Sequence, residues 1–240
     1  MRTDLPKVLC QANGRPLLAY VLDALHAAGI ARILVVVGYR GEWVRAAVAG
    51  HAGVECVEQT ERLGTGHAVK MCRPQLDLVS GPVVVVAGDS PLIQADSIRE
   101  LLAAFQATSA ACLLGTLHKS DPTGLGRIIR DAAGRFQAIV EERDATDERR
   151  LVTEVNMSTY VFAAQKLAFA LDRLRNENRQ REYYLTDCPA ILLAQGERVE
   201  ALPVLRPCEA LSVNTPEELA LAEAELRRLA PRHAAFPEMP

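Results

Sequence analysis

Along this chain the spacing of apolar positions changes repeatedly between helical and strand periods. From 17 to 28 they recur at helical intervals, and Gly29 closes the run as glycines do at helix C-termini. The string "ARILVVVG" (31–38) is instead continuous and β-branched, which predicts a strand covered on both faces, as parallel sheets require. "GEWVRAAVAG" returns to the helical period, "VECVEQ" (54–59) predicts a second strand, and "GTGHAVKMCRPQL" reads as a loop opening into a helix. "GPVVVVAGDSPLI" (81–93) predicts a third buried strand with a polar end. "DSIRELLAAFQAT" predicts a helix that Asp96 is placed to cap, and "AACLLGTLH" a fourth strand. Strand and helix alternating across short connections predict an α/β domain built on a doubly wound, parallel sheet.

The second half is less regular. Residues 121–153 are richer in glycine and charge, with short strands such as "RIIRD" and "FQAIVEE", and predict a small β-rich lobe. "VNMSTYVFAAQKLAFALDRL" predicts a strand running into a helix. "TPEELALAEAELRRL" predicts a final helix capped by Thr215, with Pro216 in its first turn. The chain opens on a polar stretch that holds Lys7 and the turn pair Asn13-Gly14, and its tail, 230–240, is expected to be loose.

Composition narrows the function classes. Hydrophobic residues make up 49% and charged residues 24% of the 240 positions, ordinary for a globular protein. A net charge of −3 and the lack of a basic stripe disfavour nucleic acid or an anionic membrane as partners. No apolar run approaches the ~20 residues that span a bilayer, and the first residues hold no contiguous hydrophobic leader. Six cysteines, none in a C-x-x-C pair and most within apolar strings, predict buried reduced thiols and a cytoplasmic location.

In an open parallel sheet, ligands bind beyond the carboxyl ends of the strands. Gln59 closes the second strand and is followed by "ERLGTGHA", where Gly64 and Gly66 flank Thr65 ahead of a helix. Such glycines either make a plain turn or let backbone N–H groups approach an anionic ligand. Asp89 follows four valines at the end of the third strand; it is either a turn cap or a ligand for a divalent cation that shares phosphate oxygens. "DPTGLGRI", "VEERDAT" and "REYYLTD" are individually readable as turns, a solvated face and packed tyrosines.

Taken in order, "DLPK", "LGTGHA", "GDSPL", "DPTGLGRI", "VE" with "DAT", "EVN", "EYYLTD" and "VN" resemble the motifs of bacterial N-acetylglucosamine-1-phosphate uridylyltransferases, within the sugar nucleotidyltransferases. The resemblance implies a Rossmann-like nucleotidyltransferase fold, a mostly parallel mixed sheet flanked by helices, over 1–229. It implies transfer of a uridylyl group from UTP to N-acetylglucosamine 1-phosphate, giving pyrophosphate and a cell-wall precursor. Lys7 would meet the phosphates, and Gln59, Gly64 and Thr65 would read the uracil. Asp89 and Asn214 would hold Mg²⁺. Gly126, Glu141 and Asn156 would hold sugar and ribose hydroxyls, with Tyr184 and Thr186 lining the sugar pocket. The nucleophile would be an already ionised phosphate oxygen, which fits a sequence without a Ser, Cys or His nucleophile constellation.

The chain also departs from these relatives. They carry a hydrophobic strand and a glycine-rich loop of the type L-A-A-G-x-G-T-R-M before "DLPK", and Met1 falls on the last residue of that motif. The domain is therefore expected to be truncated at its N-terminus and to leave two strands with unpaired edges, and upstream codons are expected to spell the motif. Met157-Ser158 stands where Thr-Gly is usual, Gln180-Arg181 where a glycine is usual, and Ala87 where an aromatic residue is frequent. These changes bear on sugar selectivity. Oligomeric state is not legible in the sequence.

Overall fold

The structure is a computed structural model that describes residues 4–229; the first three residues and the tail expected to be loose lie outside the described residues. The opening stretch forms a one-turn 3₁₀ helix at Lys7–Leu9 and a small hairpin, β1 (Gln11–Ala12) and β2 (Arg15–Pro16), turned at Asn13-Gly14. The predicted alternation follows: α1 (Leu17–Ala27), β3 (Ile33–Val37), α2 (Gly41–Val48), β4 (Val54–Glu58), α3 (Thr65–Lys70), α4 (Arg73–Leu76), β5 (Pro82–Val85) and α5 (Ala95–Ala107). Next come β6 (Cys112–His118), β7 (Gly126–Arg130), β8 (Phe136–Val140), α6 (Asp147–Arg150), β9 (Glu154–Ala163) and α7 (Ala164–Leu171). The chain then forms α8 (Cys188–Ala194), β10 (Val199–Leu202) and α9 (Pro216–Leu229).

β9 organises the main sheet. It is ten residues long and bonds to β6 over most of its length, to β7 near its start and to β5 along its second half. The spatial order is β10-β6-β9-β7-β8, with β5 beside β9 at the other end of the edge that β7 occupies. β5, β6, β7 and β10 point one way and β8 and β9 oppose them; only the β6–β10 pairing is parallel, so this sheet is mixed where the strand–helix alternation predicts a parallel one. Helices cover both faces. One core cluster joins Tyr160 and Phe162 of β9 to α7 and α8; another joins α1, α2 and α5 to β3.

β3 and β4 form a separate parallel pair. Among the described residues β3 bonds only to β4 and β5 only to β9, so one edge of each carries no ladder. Alternate residues of both strands nevertheless pack into the same two clusters, Val35 with Val84 and Val36 with Val83 and Val85. The central residues of β3 and β5 are accordingly half-buried, where full burial was expected.

Two local features differ from expectation. Asp96 does not cap α5; it lies inside the first turn and pairs with Arg99 and Arg206. The cap comes from Glu209, whose buried carboxylate accepts the Gln94 amide at 2.9 Å and the Ser97 hydroxyl at 2.6 Å. β9 also bulges against β6, where the register shifts between Gly115 and Thr116 and leaves Met157-Ser158 opposite no partner. Ser158 there has φ 53°, and Arg181 has φ 55°. Both are left-handed backbone positions, which glycine adopts without steric cost, and both fall in stretches where the resemblance leads one to expect a glycine.

Candidate active site

Three chain segments far apart in sequence meet beyond the end of β5. Asp89 leaves the strand through Ala87-Gly88, and its carbonyl accepts the Val213 amide at 3.2 Å, which draws the start of α9 beside it. The expected cap at Thr215 is present as a reciprocal box: the Glu218 amide donates to Thr215 Oγ1 at 3.2 Å, and Glu218 Oε2 accepts the amides of Asn214 and Thr215 at 2.7 and 2.9 Å. That box fixes the backbone of Asn214. From the 3₁₀ turn at the other end of the chain, Lys7 Nζ donates to Asn214 Oδ1 at 2.7 Å and pairs with the Asp89 carboxylate. Of these groups, Asp89 and Asn214 line a cavity of about 170 Å³ whose wall also includes Asn156, Ser158 and Ser212.

A carboxylate and an amide carbonyl already share one cation here, the Lys7 ammonium. Both are hard oxygen donors, which suits Mg²⁺. No group of three or more His, Cys, Asp or Glu placed for a metal occurs among the described residues. The protein would thus supply part of a coordination shell and leave the rest to phosphate oxygens and water, the usual state of Mg²⁺ beside nucleotides.

Asn156 leads from this cavity to a second group. It faces Gly126 across the β7–β9 ladder, and its Oδ1 accepts the Ser158 amide at 3.2 Å. A Cβ at Gly126 would lie 3.6 Å from Asn156 Cβ, 3.6 Å from Glu141 Oε2 and only 3.0 Å from Ile139 Cγ2, so the glycine keeps open the space between these side chains. Glu141 accepts the Thr186 hydroxyl at 2.9 Å. Burial pushes the Glu141 carboxyl up, Thr186 opposes this in part, and Asp144 adds to it. Tyr184 donates to Gln180 at 2.7 Å, and burial pushes its phenol up to about 12. Glu141, Asp144, Tyr184, Thr186 and Asp187 share the wall of a cavity of about 420 Å³.

Asp187 has no role assigned from the sequence, although it closes "EYYLTD". Burial, then the neighbouring Glu141 and Asp144, push its carboxyl up to about 6. An acid whose folded value exceeds its unfolded value of about 4 binds more protons when folded between those values, so stability falls as pH rises from about 4 to about 6. Asp187→Asn is therefore expected to raise the melting temperature at pH 8, with the gain vanishing by pH 4. Melting curves at the two pH values check this; an equal gain at both would show that charge is not the cause.

The third group is the loop after β4. Gln59 Nε2 donates to the Gly64 carbonyl at 3.1 Å and lies 3.0 Å from His67 Nδ1. Gly66 donates to the Tyr183 carbonyl at 2.8 Å, and Tyr183 donates to the Leu63 carbonyl at 2.7 Å. Thr65 Oγ1 accepts the Leu185 amide at 3.1 Å. The Thr65 hydroxyl, expected at the uracil, thus braces the 182–187 segment. His67, to which the sequence assigned nothing, orients Gln59. Through Leu185 and Thr186 this loop is joined to Glu141, while Asn156 lines one cavity together with Asp89 and Asn214.

Residues 1–187 match the MobA-like NTP transferase domain. The chain belongs to that family. As a MobA-like NTP transferase domain it is a nucleotidyltransferase, and its curated relatives narrow the kinship. It is 42% identical over 228 residues to the bifunctional protein GlmU of Pelotomaculum thermopropionicum, covering 95% of this chain and 50% of that one. It is 41% identical to GlmU of Paraburkholderia phymatum, covering 98% of this chain and 50% of that one. The chain thus spans about half the length of the curated relatives it matches. Among solved structures, a UDP-glucose pyrophosphorylase in complex with UDP-glucose superposes with a TM-score of 0.75 at 15% identity, covering 93% of this chain and 91% of that one. HddC from Yersinia pseudotuberculosis gives 0.67 at 16%, covering 94% and 92%. These two share the α/β fold of this MobA-like NTP transferase. No helix among its described residues is long and apolar enough to cross a membrane, and all six cysteines are free thiols.

Proposed function

We propose that this domain transfers a uridylyl group from UTP to N-acetylglucosamine 1-phosphate in the cytoplasm and releases pyrophosphate. An oxygen of the sugar phosphate forms a bond to the α-phosphorus, and the bond from that phosphorus to the oxygen bridging to the β-phosphorus breaks. The attacking oxygen is already ionised at neutral pH, so the residues need only orient the reactants and offset charge. Lys7 places a positive charge at the mouth of the cleft. Gln59, held by Gly64 and His67, presents an amide edge to the base. Gly126, Glu141 and Asn156 face the sugar and ribose hydroxyls, and Tyr184 and Thr186 close the sugar side. Asp89 and Asn214 would hold Mg²⁺, which when bound supplies charge neutralisation at the phosphates.

The convergence of Lys7, Asp89 and Asn214 next to the Gly126–Glu141–Asn156 group carries this reading. The kinship with GlmU and the fold shared with a pyrophosphorylase seen with UDP-glucose support it. The test is pyrophosphate release with four nucleoside triphosphates against several sugar 1-phosphates, with and without Mg²⁺. Preference for UTP with N-acetylglucosamine 1-phosphate is expected. Preference for another pair would assign a different sugar nucleotidyltransferase, and binding of UDP-sugar without turnover would assign a binding module.

A further inference from the structure

Among the described residues Arg127 is one of the largest fully buried side chains, 1% exposed, on a strand that begins at the sugar side of the site. An arginine in such a place is costly, and a well-packed apolar residue commonly stabilises as much or more. What its guanidinium does is specific. It donates to the Leu125 carbonyl and, at 2.6 Å, to Glu142 Oε2. The same Glu142 oxygen accepts the Gly124 amide at 3.2 Å. Two bonds therefore grip the backbone on either side of the Gly124–Leu125 peptide, just ahead of Gly126, and Leu125 itself lines the cavity that holds Asp89 and Asn214. Glu142 also follows Glu141 directly, and Arg150 stands 3.6 Å from its other oxygen.

We propose that Arg127 and Glu142 are positioning residues for the sugar half of the substrate, an inference that rests on the function proposed above. The pair ties the 124–126 backbone to the end of β8, and so sets the distance between the Gly126 backbone and the Glu141 carboxyl. Neither residue touches the ligand; each acts through a neighbour that would. The guanidinium suits the task because its fork reaches a carbonyl and a carboxylate at once, which a lysine ammonium on one flexible stem does less well.

The experiment is calorimetric titration of UDP and of UDP-N-acetylglucosamine into wild type, Arg127→Met and Glu142→Gln. In Arg127→Met the Glu142 carboxylate keeps Arg150 as a partner, and Glu142→Gln keeps the side-chain shape. Wild type is expected to prefer the UDP-sugar. Both variants are expected to lose about tenfold in UDP-sugar affinity and clearly less in UDP affinity, because UDP shares only the ribose part of these contacts. Equal losses for the two ligands, or no loss, would overturn the proposal. A wild type that binds UDP but does not prefer the UDP-sugar would overturn the functional reading and this inference with it. Should both variants unfold, hydrogen exchange in wild type decides: slow exchange at the Gly124 amide supports the clamp, and exchange at the rate of an open loop overturns it.

Discussion

Asp89→Asn is expected to lower Mg²⁺-dependent turnover by about 1,000-fold and to leave the fold intact. The substitution keeps the shape of the side chain and removes its charge, so a divalent cation held there as proposed would lose an anionic protein ligand. The loss to stability is expected to be small. The Lys7–Asp89 pair is partly open to water, with side-chain exposures of 39% and 22%, and such pairs contribute about 0–1 kcal/mol. Asn214→Ala removes a neutral oxygen and is expected to cost less, about 10- to 100-fold. Pyrophosphate release as a function of Mg²⁺, with a melting curve for each variant, checks both. Normal Mg²⁺ dependence in Asp89→Asn would remove this carboxylate from the chemistry.

The convergence on which that expectation rests was legible because its members sit at strand and helix ends. Four consecutive valines announce β5, so Asp89 had to lie at a carboxyl end, and Thr215-Pro216 announces a helix start directly after Asn214. Signals of this kind are local. The partners of β9 are not: β5 and β6 lie dozens of residues upstream, and nothing in "VNMSTYVFA" states that this one strand would bond to three others. The same limit explains α5. Asp96 looked like its cap because residues of that type often are, but the Gln94 amide found Glu209, 115 positions away. Thr65 shows the subtler case. A threonine between glycines at a helix start offers its hydroxyl to whatever approaches, and in the folded chain the Leu185 amide arrives. Among the described residues β3 bonds only to β4 and β5 only to β9, and the half-burial of their central residues follows: a residue with no described strand on one side keeps part of its surface in contact with water.

The clasp between the 63–66 loop and the 182–187 segment makes Gly64 a position where a single methyl group should disrupt the site itself. Its backbone has φ 104° and ψ 176°, a region essentially closed to residues with a Cβ. A Cβ there would also stand 2.6 Å from the Tyr183 carbonyl oxygen and 2.9 Å from Glu182 Cβ. Neither obstacle is the far end of a flexible side chain, so the loop must move as a unit. Moving it breaks the Tyr183–Leu63 bond, takes the Gly64 carbonyl away from Gln59 and withdraws Thr65 from Leu185. Gly64→Ala is therefore expected to destabilise the domain by about 3 kcal/mol and to abolish measurable nucleotide binding. Gly134→Ala is the control. Its φ of 77° is also left-handed, but no atom lies within 4 Å of the added methyl, so it carries the backbone cost alone, about 1 kcal/mol. Urea denaturation of the two variants, compared at equal slope, separates the terms. If Gly64→Ala costs no more than Gly134→Ala, the close approach to Tyr183 has no energetic weight, and the clasp is not what holds Gln59 in place.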